Sequence, residues 1–344
     1  MDPFDGIPEA AAALHRRALV FDAHADTLTE MTDRGYDLSA APEGRHLDLP
    51  RCAGGVLDAQ VFTCFVHPQY VGAGAADRAR AMLDTMDRQL ARFPGSLALC
   101  TARGDIGVAR REGRLGAVLA VEGGHAIEDR LEVLAEFFAR GVRTMTLTWN
   151  NSNEWADGCG DEGRHGGLSA RGRQVVEAME ALGMVVDISH VAPTTFRDAL
   201  DVARRPCIAS HSCARALRDH PRNLTDAQLR ALAGRGGVAC LNVYPVFLVA
   251  EGPATLEHVL DHAERFLHAA GEDHVGLGCD YDGIGVVPEG LPDVAALPRL
   301  TAGLLRRGWS ERAVEKLLGA NLLRVFEEGL PACATARAAA GAAS

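Results

Sequence analysis

Positive charge is scarce and scattered in this sequence. Thirty-five Lys and Arg residues stand against 46 Asp and Glu residues, so the net charge is −11, and no run of basic residues is longer than two. A surface that binds nucleic acid or an anionic membrane needs a concentrated basic patch. We therefore expect neither nucleic acid nor a membrane as a partner, and a small molecule is the better expectation.

Long apolar segments and paired cysteines are also missing. The longest apolar run, residues 236–250, is interrupted by Asn242 and is too short to cross a bilayer. Residues 1–5 (MDPFD) lack the basic and apolar regions of a signal peptide. The nine cysteines form no Cys-x-x-Cys pair and stand among apolar neighbours, as reduced core residues do. These features predict a cytoplasmic protein.

What the sequence has is a repeated alternation of short apolar runs, turns and helical patterns of ten to eighteen residues. Such alternation indicates parallel strands joined by helices. Eight strands are predicted, at residues 18–24, 56–66, 117–122, 144–148, 184–189, 206–210, 237–242 and 274–280. No glycine-rich nucleotide-binding motif follows any of them. The fold class predicted is α/β, a (β/α)₈ TIM-type barrel with insertions and C-terminal helices.

The helical segments carry recognisable end signals. Helices are predicted at residues 75–93, 131–140, 169–182 and 225–235, with further helices between residues 294 and 328. Ser169 and Thr225 are N-cap candidates, and Gly183 is suited to a helix C-terminus. No linker divides the chain, so residues 1–330 are expected to form a single domain and the Ala-rich residues 331–344 a disordered tail.

Polar residues cluster where the predicted strands end, and in a barrel these ends form the catalytic face. The set comprises three histidines and three carboxylates: His24, Asp26, Glu122, His190, His211 and Asp280. His24 and Asp26 are two residues apart, so in an extended strand they point to the same side and can chelate one ion. Gly123 and Gly124 follow Glu122, where the lack of side chains lets a ligand or metal approach the backbone.

The number of these residues predicts two metal ions. Six side chains are more than the four ligands that one Zn²⁺ requires. Glu122 can bridge two divalent ions about 3.5 Å apart, and a water between them becomes hydroxide at neutral pH, ready to attack an amide or ester. Asp280 is then free to shuttle protons.

Each of these residues alone would be weak evidence, and it is their joint position that predicts a site. The other histidines were weighed in the same way. His125 and His165 are loop candidates for the site, whereas a solvated position is expected for the following: His15, His46, His67, His258, His262 and His268.

The motifs taken together resemble the renal or membrane dipeptidases, binuclear zinc members of the amidohydrolase superfamily. The resemblance runs from Val20 to about Glu328. It rests on the segments FDAHAD (21–26), VEGGH (121–125), VDISHV (186–191), SHS (210–212), PRN (221–223), GLGCDYDG (276–283) and GANLLRVF (319–326). Their order and approximate spacing are those of the family.

This resemblance implies a role for each matching residue. His24 and Asp26 would bind one zinc ion, His190 and His211 the other, and Glu122 would bridge the two. It also implies that Arg222 pairs with the terminal carboxylate of the substrate, and that Asp280 takes a proton from the attacking water and delivers it to the leaving amine. The implied substrates are dipeptides, commonly with a D-residue at the carboxyl end, and the implied assembly is a homodimer.

One position departs from the family pattern. Family dipeptidases usually carry a histidine after the fourth strand that hydrogen-bonds the scissile carbonyl or its oxyanion, and here Trp149 and Asn150 follow Thr148. An indole N–H can donate one hydrogen bond but carries no positive charge. Either Trp149 or Asn150 takes over the contact, or the substrate differs.

The function predicted is that of a metal-dependent dipeptidase. Hydrolysis of another small amide, a β-lactam or a lactone stays open, as does a catalytically silent relative that binds metal.

Overall fold

Eight parallel strands close into a barrel, as the alternation predicts. In the computed structural model, which describes residues 2–161 and 163–332, one sheet contains nine strands in the order β2-β1-β9-β8-β7-β6-β5-β4-β3, and an additional β2–β4 pairing closes it. The strands are β1 (Phe21–Ala25), β2 (Ala59–Phe65), β3 (Leu97–Leu99), β4 (Leu115–Glu122), β5 (Val142–Thr146), β6 (Val185–Asp187), β7 (Ile208–Ser212), β8 (Val238–Leu241) and β9 (Val275–Leu277). All eight predicted strands are confirmed, with shifts of a few residues at their ends.

Strand β3 is the one that the sequence analysis missed. Its three residues pair with Leu115, Gly116 and Ala117 at the start of β4, on the edge that β5 occupies further along. Three residues are too few to show a two-residue period. The strand widens the amino-terminal end of the sheet and leaves the catalytic end unchanged.

Helices connect the strands and cover the outside of the barrel. They are α1 (Glu9–Arg17), α2 (Thr27–Arg34), α3 (Leu49–Cys52), α4 (Ala75–Arg92), α5 (Asp105–Arg111), α6 (Leu131–Ala139), α7 (Ala170–Leu182), α8 (Pro193–Val202), α9 (Asp226–Gly234), α10 (Pro245–Leu248), α11 (Leu256–Ala270), α12 (Leu297–Arg306), α13 (Glu311–Glu315) and α14 (Asn321–Gly329). A π-helical turn, Lys316–Ala320, joins the last two. Short 3₁₀ turns lie at Pro68–Tyr70, Gly124–Ile127, Glu272–His274 and Val294–Ala296.

The predicted helix ends are confirmed at atomic level. The Ser169 side chain accepts a hydrogen bond from Gly172 N, and Thr225 forms a capping box with Gln228. Gly183 ends α7 with φ 90°, a left-handed conformation that glycine adopts without a Cβ penalty. These caps fix where α7 and α9 begin and therefore where the preceding loops, which carry site residues, must end.

Side chains fill the inside of the barrel. Phe21, Val61, Val118 and Val238 belong to one buried cluster, and Phe326 of α14 joins it. The rings of Phe21 and Phe326 lie 5.3 Å apart. The interior of the barrel below the mouth is therefore a packed core.

Two strands change register in the segment that contains a histidine of the predicted site. The β1–β2 pairing shifts between Asp22 and Ala25, and the β7–β8 pairing shifts between Ala209 and Ser212. Such irregularities turn a side chain toward a new direction. In β1 this lets His24 reach the barrel mouth although Phe21, three residues earlier, packs in the interior.

Two further predictions concern the chain as a whole. The single domain over residues 1–330 stays a prediction, and the tail predicted at 331–344 lies almost wholly outside the described residues. Of the helices within residues 2–161 and 163–332, none is long and apolar enough to span a bilayer.

Candidate metal centre

The six strand-end residues converge at one mouth of the barrel. His24 lies in β1, Glu122 ends β4 and His211 lies in β7, while Asp26, His190 and Asp280 follow β1, β6 and β9. All six are buried. Five of them line a cavity of about 700 Å³ (Asp26, Glu122, His190, His211 and Asp280), and His24 lies beneath it. The topology therefore assembles the predicted group.

His24 stands at the centre of three carboxylates. Its Nε2 lies 3.4 Å from Glu122 Oε2, 3.5 Å from Asp26 Oδ2 and 3.8 Å from Asp280 Oδ1. Within the described residues this buried nitrogen forms no hydrogen bond, and neither does Asp26 Oδ1. Unpartnered polar atoms are rare in protein interiors. Their convergence is what a cation site requires.

His190 and His211 form the other half of the group. Their Nε2 atoms lie 2.7 Å apart, and Glu122 Oε1 lies 2.8 Å from the first and 3.6 Å from the second. The two oxygens of Glu122 thus face different histidines, Oε2 toward His24 and Oε1 toward His190. A carboxylate placed in this way can bridge two ions.

Hydrogen bonds on the far side of each imidazole orient the pair. His190 Nδ1 donates to Asn150 Oδ1 at 2.9 Å, and His211 Nδ1 lies 2.8 Å from Ser210 Oγ. A partner at Nδ1 fixes the ring and leaves Nε2 as the ligand atom, as is usual for metal-binding histidines. Asn150, predicted as a substrate contact, therefore also holds a candidate ligand.

Two buried aspartates brace the strand ends on which the histidines stand. Asp22 accepts hydrogen bonds from His24 N at 2.9 Å and from Cys279 N at 3.0 Å. Asp187 accepts them from Ser189 N at 2.9 Å and from Ser210 N at 3.0 Å. Each carboxylate ties two neighbouring strand ends together, although burial raises the pKa of both. Both residues lie in the motifs at 21–26 and 186–191, but the motifs alone do not predict this role.

The glycines near the site serve close packing. A Cβ on Gly124 would lie 2.4 Å from Leu147 O, and one on Gly123, whose φ is 94°, would lie 2.4 Å from the His125 ring. The space beside Glu122 is thus taken by protein atoms. The expectation that these glycines open the backbone to a ligand is wrong for that reason.

The protonation states of Glu122, His190 and His211 suit metal ligands, whereas burial at His24 is outweighed by Glu122 and Asp26, which raise its pKa, so a cation bound there would replace a proton. Burial opposes ionisation of Glu122, but the neighbouring His24 and His190 outweigh it and lower the pKa of Glu122. Burial, together with the nearby Arg222, lowers the pKa of His190 to about 3, and burial with His24 lowers that of His211. An ionised carboxylate and neutral imidazoles are the forms that bind a divalent cation.

Asp280 is held differently from the other carboxylates. Its Oδ2 accepts a hydrogen bond from Asn242 Nδ2 at 3.0 Å, and its φ is 65°. Burial raises the pKa of Asp280 to about 6.

A Cβ on Gly283 would lie 2.1 Å from Asp26 Oδ2 and 2.6 Å from Asp280 Oδ1. Only glycine at position 283 leaves both carboxylates in place.

These residues fit a pair of divalent ions. Two sets of three, His24 with Glu122 and His211, and His24 with Asp26 and Asp280, offer ligand atoms within 4.8 Å of one another. Imidazole nitrogens with carboxylate oxygens are a donor set that Zn²⁺ accepts. The unpartnered nitrogen of His24 and the close approach of His190 to His211 add to this fit.

Arg222 lies beside the candidate metal ligand His211, in a loop after β7. Its guanidinium is buried and donates from Nη2 to His211 O at 3.0 Å, while Nε forms no hydrogen bond within the described residues. The side chain lines the cavity and packs 5.4 Å from the Phe247 ring. It is therefore placed to meet a bound anion.

Trp149 forms an aromatic wall of the cavity. Its ring stacks on His190 at 5.9 Å and lies 5.4 Å from Phe65 and 6.2 Å from His67. Asn150, next to it, also lines the cavity. Both residues thus reach the site that the sequence analysis assigned to them.

Predictions for the remaining histidines were partly wrong. His15, His46 and His262 are buried, because each forms hydrogen bonds with residues distant in sequence. His15 contacts Thr301 Oγ1 and Val56 O, and His46 exchanges hydrogen bonds with Asp282. His262 accepts from Ala214 N and contacts Leu248 O. His125 and His165 hydrogen-bond backbone carbonyls and stay outside the cavity. His67 is exposed, as predicted, and both His67 and His220 line the cavity. His220 was missed entirely, although it stands two residues before Arg222.

A barrel with this cluster at its carboxyl-terminal mouth defines a metallohydrolase-type site. The profile of the membrane dipeptidase family, peptidase family M19, matches residues 9–337. The chain belongs to this family of metallo-dipeptidases, as the motifs predicted.

Curated relatives agree with this assignment. An uncharacterized dipeptidase of Schizosaccharomyces pombe is 35% identical over 303 residues, which cover 82% of this chain and 72% of the relative. Dipeptidase 3 of Mus musculus is 34% identical over 286 residues, which cover 82% of this chain and 57% of the relative. The match thus spans less than two thirds of the mouse protein.

Solved structures show the same fold. The probable dipeptidase PvdM from Pseudomonas aeruginosa superposes with a TM-score of 0.86 at 25% identity, covering 93% of this chain and 97% of that one. A metallopeptidase from Rhodobacter sphaeroides, bound to a phosphinate mimic of the dipeptide L-Ala-D-Ala, gives a TM-score of 0.83 at 26% identity, with coverages of 91% and 99%.

Proposed function

We propose that this chain hydrolyses the peptide bond of small dipeptides, including L-Xaa-D-Xaa, with the aid of two Zn²⁺ ions. The observation that carries the proposal is the convergence of three histidines and three carboxylates around the unpartnered Nε2 of His24. Membership of a metallo-dipeptidase family and the dipeptide mimic bound to the Rhodobacter sphaeroides relative support it.

The donor set divides between two ions. His24 and Asp26 would hold one, His190 and His211 the other, and Glu122, whose two oxygens face different histidines, would contact both. When bound, such ions polarise the substrate carbonyl and make water nucleophilic at neutral pH. The proton transfers and the alignment of the substrate are left to the chain's own residues.

Asp280 is the residue suited to move the proton. Asn242 anchors its Oδ2, and Oδ1 faces the cluster, 3.8 Å from His24 Nε2. A carboxylate fixed in this orientation can accept a proton from the attacking water at Oδ1. It can then return that proton to the departing amine nitrogen, so the same oxygen acts first as a base and then as an acid.

Opposite charges in the cavity orient the substrate. Asp26, Glu122 and Asp280 form an acidic cluster, and Arg222, which contacts His211 O, carries an Nε–H that has no hydrogen-bond partner among the described residues. A guanidinium presents donors in a fixed fork that matches a carboxylate. A dipeptide whose terminal carboxylate meets Arg222 places its peptide bond between that arginine and the acidic cluster.

The developing oxyanion needs a donor in place of the histidine that is missing here. The Trp149 indole lines the cavity, where its N–H can donate to a bound substrate. The Oδ1 of Asn150 is occupied by His190, which leaves its amide N–H groups as donors. We assign the oxyanion contact to Trp149, with Asn150 next to it.

Initial rates with a panel of L-Xaa-L-Xaa and L-Xaa-D-Xaa dipeptides test this function. Zn²⁺-loaded protein is compared with chelated protein and with Asp280→Asn, which preserves an oxygen to accept from Asn242. We expect cleavage that depends on metal, and a kcat about 10² to 10⁴ lower in the variant. If protein with two bound ions cleaves no dipeptide, the dipeptidase function is wrong, and parallel assays with a β-lactam and a lactone show whether the substrate differs.

We also propose a reducing cellular compartment such as the cytoplasm. Its support is that the eight cysteines among the described residues are free thiols, seven of them buried. The homodimer remains a prediction, which light scattering at several protein concentrations would test.

A further inference from the structure

His220 lies next to Arg222 in the wall of the cavity. The two residues flank Pro221 in a turn that Asn223 closes by donating its backbone N–H to His220 O at 2.9 Å. The Asn223 side chain donates to Phe247 O, also at 2.9 Å, and so fixes the turn to α10. His220 and Arg222 therefore have defined positions relative to each other.

The hydrogen bonding of His220 determines which ring nitrogen carries the proton. Its Nδ1 accepts a hydrogen bond from Arg222 N at 3.2 Å. In a neutral imidazole one nitrogen accepts and the other donates, so Nε2 bears the hydrogen. This Nε2–H has no partner within residues 2–161 and 163–332, and the side chain lines the cavity.

Phe247 supports both side chains from below. Its ring centroid lies 4.7 Å from that of His220 and 5.4 Å from the Arg222 guanidinium carbon. Arg222 uses one N–H for His211 O and keeps Nε–H free. Two nitrogen donors that have no hydrogen-bond partner in the described part of the chain therefore lie against the same aromatic ring.

The electrostatic surroundings favour an anion at this place. Burial and the positive charges of Arg218, Arg222 and Arg215 outweigh the neighbouring Asp219 and lower the pKa of His220, so at neutral pH it donates as an uncharged imidazole. A carboxylate accepting from Arg222 and His220 would gain from the same positive field. It would also satisfy the buried Nε–H of Arg222.

We propose that His220 Nε2–H and Arg222 together bind the terminal carboxylate of the substrate. His220 is thus a substrate-binding residue, and the pair selects peptides that end in a free carboxylate. The inference rests on the proposed function, because it takes the ligand to be a dipeptide, and it adds a residue and a chemical criterion to that function.

Calorimetric titration tests the pair without turnover. The parent is Zn²⁺-loaded Asp280→Asn, and the probes are L-Ala-D-Ala and its C-terminal amide, L-Ala-D-Ala-NH₂. The variants are His220→Asn, which retains an acceptor for Arg222 N but lacks the Nε2–H, and His220→Phe, which lacks both. His268→Asn, an exposed histidine on α11, is the matched control.

The inference predicts a particular pattern of affinities. The parent should bind the dipeptide more tightly than the amide, and His220→Asn should weaken dipeptide binding about tenfold with little change for the amide. His220→Phe should weaken it further, and His268→Asn should match the parent. Equal affinities of parent and His220→Asn would overturn the contact and leave His220 as a support for Arg222.

Failure of the inference can be told from failure of the proposed function. Hydrolysis by protein with the native Asp280 reports on the function alone. A protein that binds carboxylate over amide through His220 but hydrolyses no dipeptide would support the inference and refute the function. A parent that binds dipeptide and amide equally, or neither of them, would refute the inference.

Discussion

Asn150 accepts a hydrogen bond from His190 Nδ1 at 2.9 Å, and so holds the imidazole with its Nε2 toward His211 and Glu122. The contact links the loop after β5 to a candidate ligand that follows β6. It is the kind of outer contact whose loss costs about 10- to 100-fold in metal affinity.

Asn150→Leu should therefore weaken binding of one zinc ion. We expect a fall of about 10- to 100-fold in the affinity of the more weakly bound ion, measured by competition with a chromophoric chelator. Asn150→Asp retains the acceptor and should bind zinc nearly as the parent does. Unchanged affinity in the Leu variant would show that His190 needs no such support.

Gly283→Ala should disrupt the acidic half of the site. The new Cβ would lie 2.1 Å from Asp26 Oδ2 and 2.6 Å from Asp280 Oδ1, so at least one carboxylate must move. We expect zinc content below two ions per chain by elemental analysis and a large loss of kcat. Gly285→Ala is the control, because a Cβ there meets nothing within 4 Å. Equal zinc content in the two variants would contradict the crowding argument.

Trp149→Phe removes the indole N–H while keeping an aromatic ring in the cavity wall. Phenylalanine preserves a ring beside Phe65 and His190 but removes the donor assigned to the oxyanion. Loss of such a donor costs about 2.7 to 4 kcal/mol, so kcat on the best dipeptide should fall about 100-fold or more with little change in KM. Trp149→His supplies another N–H and should recover part of the rate. A Phe variant with unchanged kcat would assign the contact to Asn150.

His15 should make folding stability depend on acidity. Burial lowers its pKa to about 4 in the folded chain, where it contacts Thr301 Oγ1 at 2.7 Å and Val56 O at 3.0 Å. The unfolded chain binds this proton near pH 6.5. Between those values the unfolded state holds more protons, so stability is fully present above about pH 6.5 and declines as the pH falls toward 4.

This histidine contributes at most about 3 kcal/mol to the decline. Urea unfolding of chelated protein between pH 7.5 and 4.5 measures it, with His15→Gln as the comparison. The free energy of unfolding of the variant should fall less steeply with decreasing pH than that of the parent. Parallel curves would show that another group accounts for the acid sensitivity.

The sequence allowed the barrel and most of the site to be predicted, for a physical reason. Parallel strands all place their carboxyl ends on one side, so polar residues that follow apolar runs must meet there. This is why His24, Glu122 and His211 could be grouped although they are far apart in the chain. The prediction required only the positions of the strand ends and did not depend on the register between neighbouring strands.

What could not be predicted depends on partners that are distant in sequence. His15 is buried because Thr301 and Val56 supply its contacts, and its helical surroundings give no sign of either. The register shifts around His24 and His211 arise from pairing with the neighbouring strands. His220 escaped notice because its role follows from a turn that brings its ring against Phe247.

The pairing of the first and last barrel strands links metal binding to synthesis of the chain. Asp26 N donates to Tyr281 O at 2.9 Å, and Asp280 N donates to His24 O at 3.1 Å, so the acidic half of the site forms only where the two ends of the barrel meet. A nascent chain that has not yet emerged beyond β9 lacks this junction, even if its earlier strands and helices have already folded. Zinc would then enter late, and its retention would report that the ring of strands has closed.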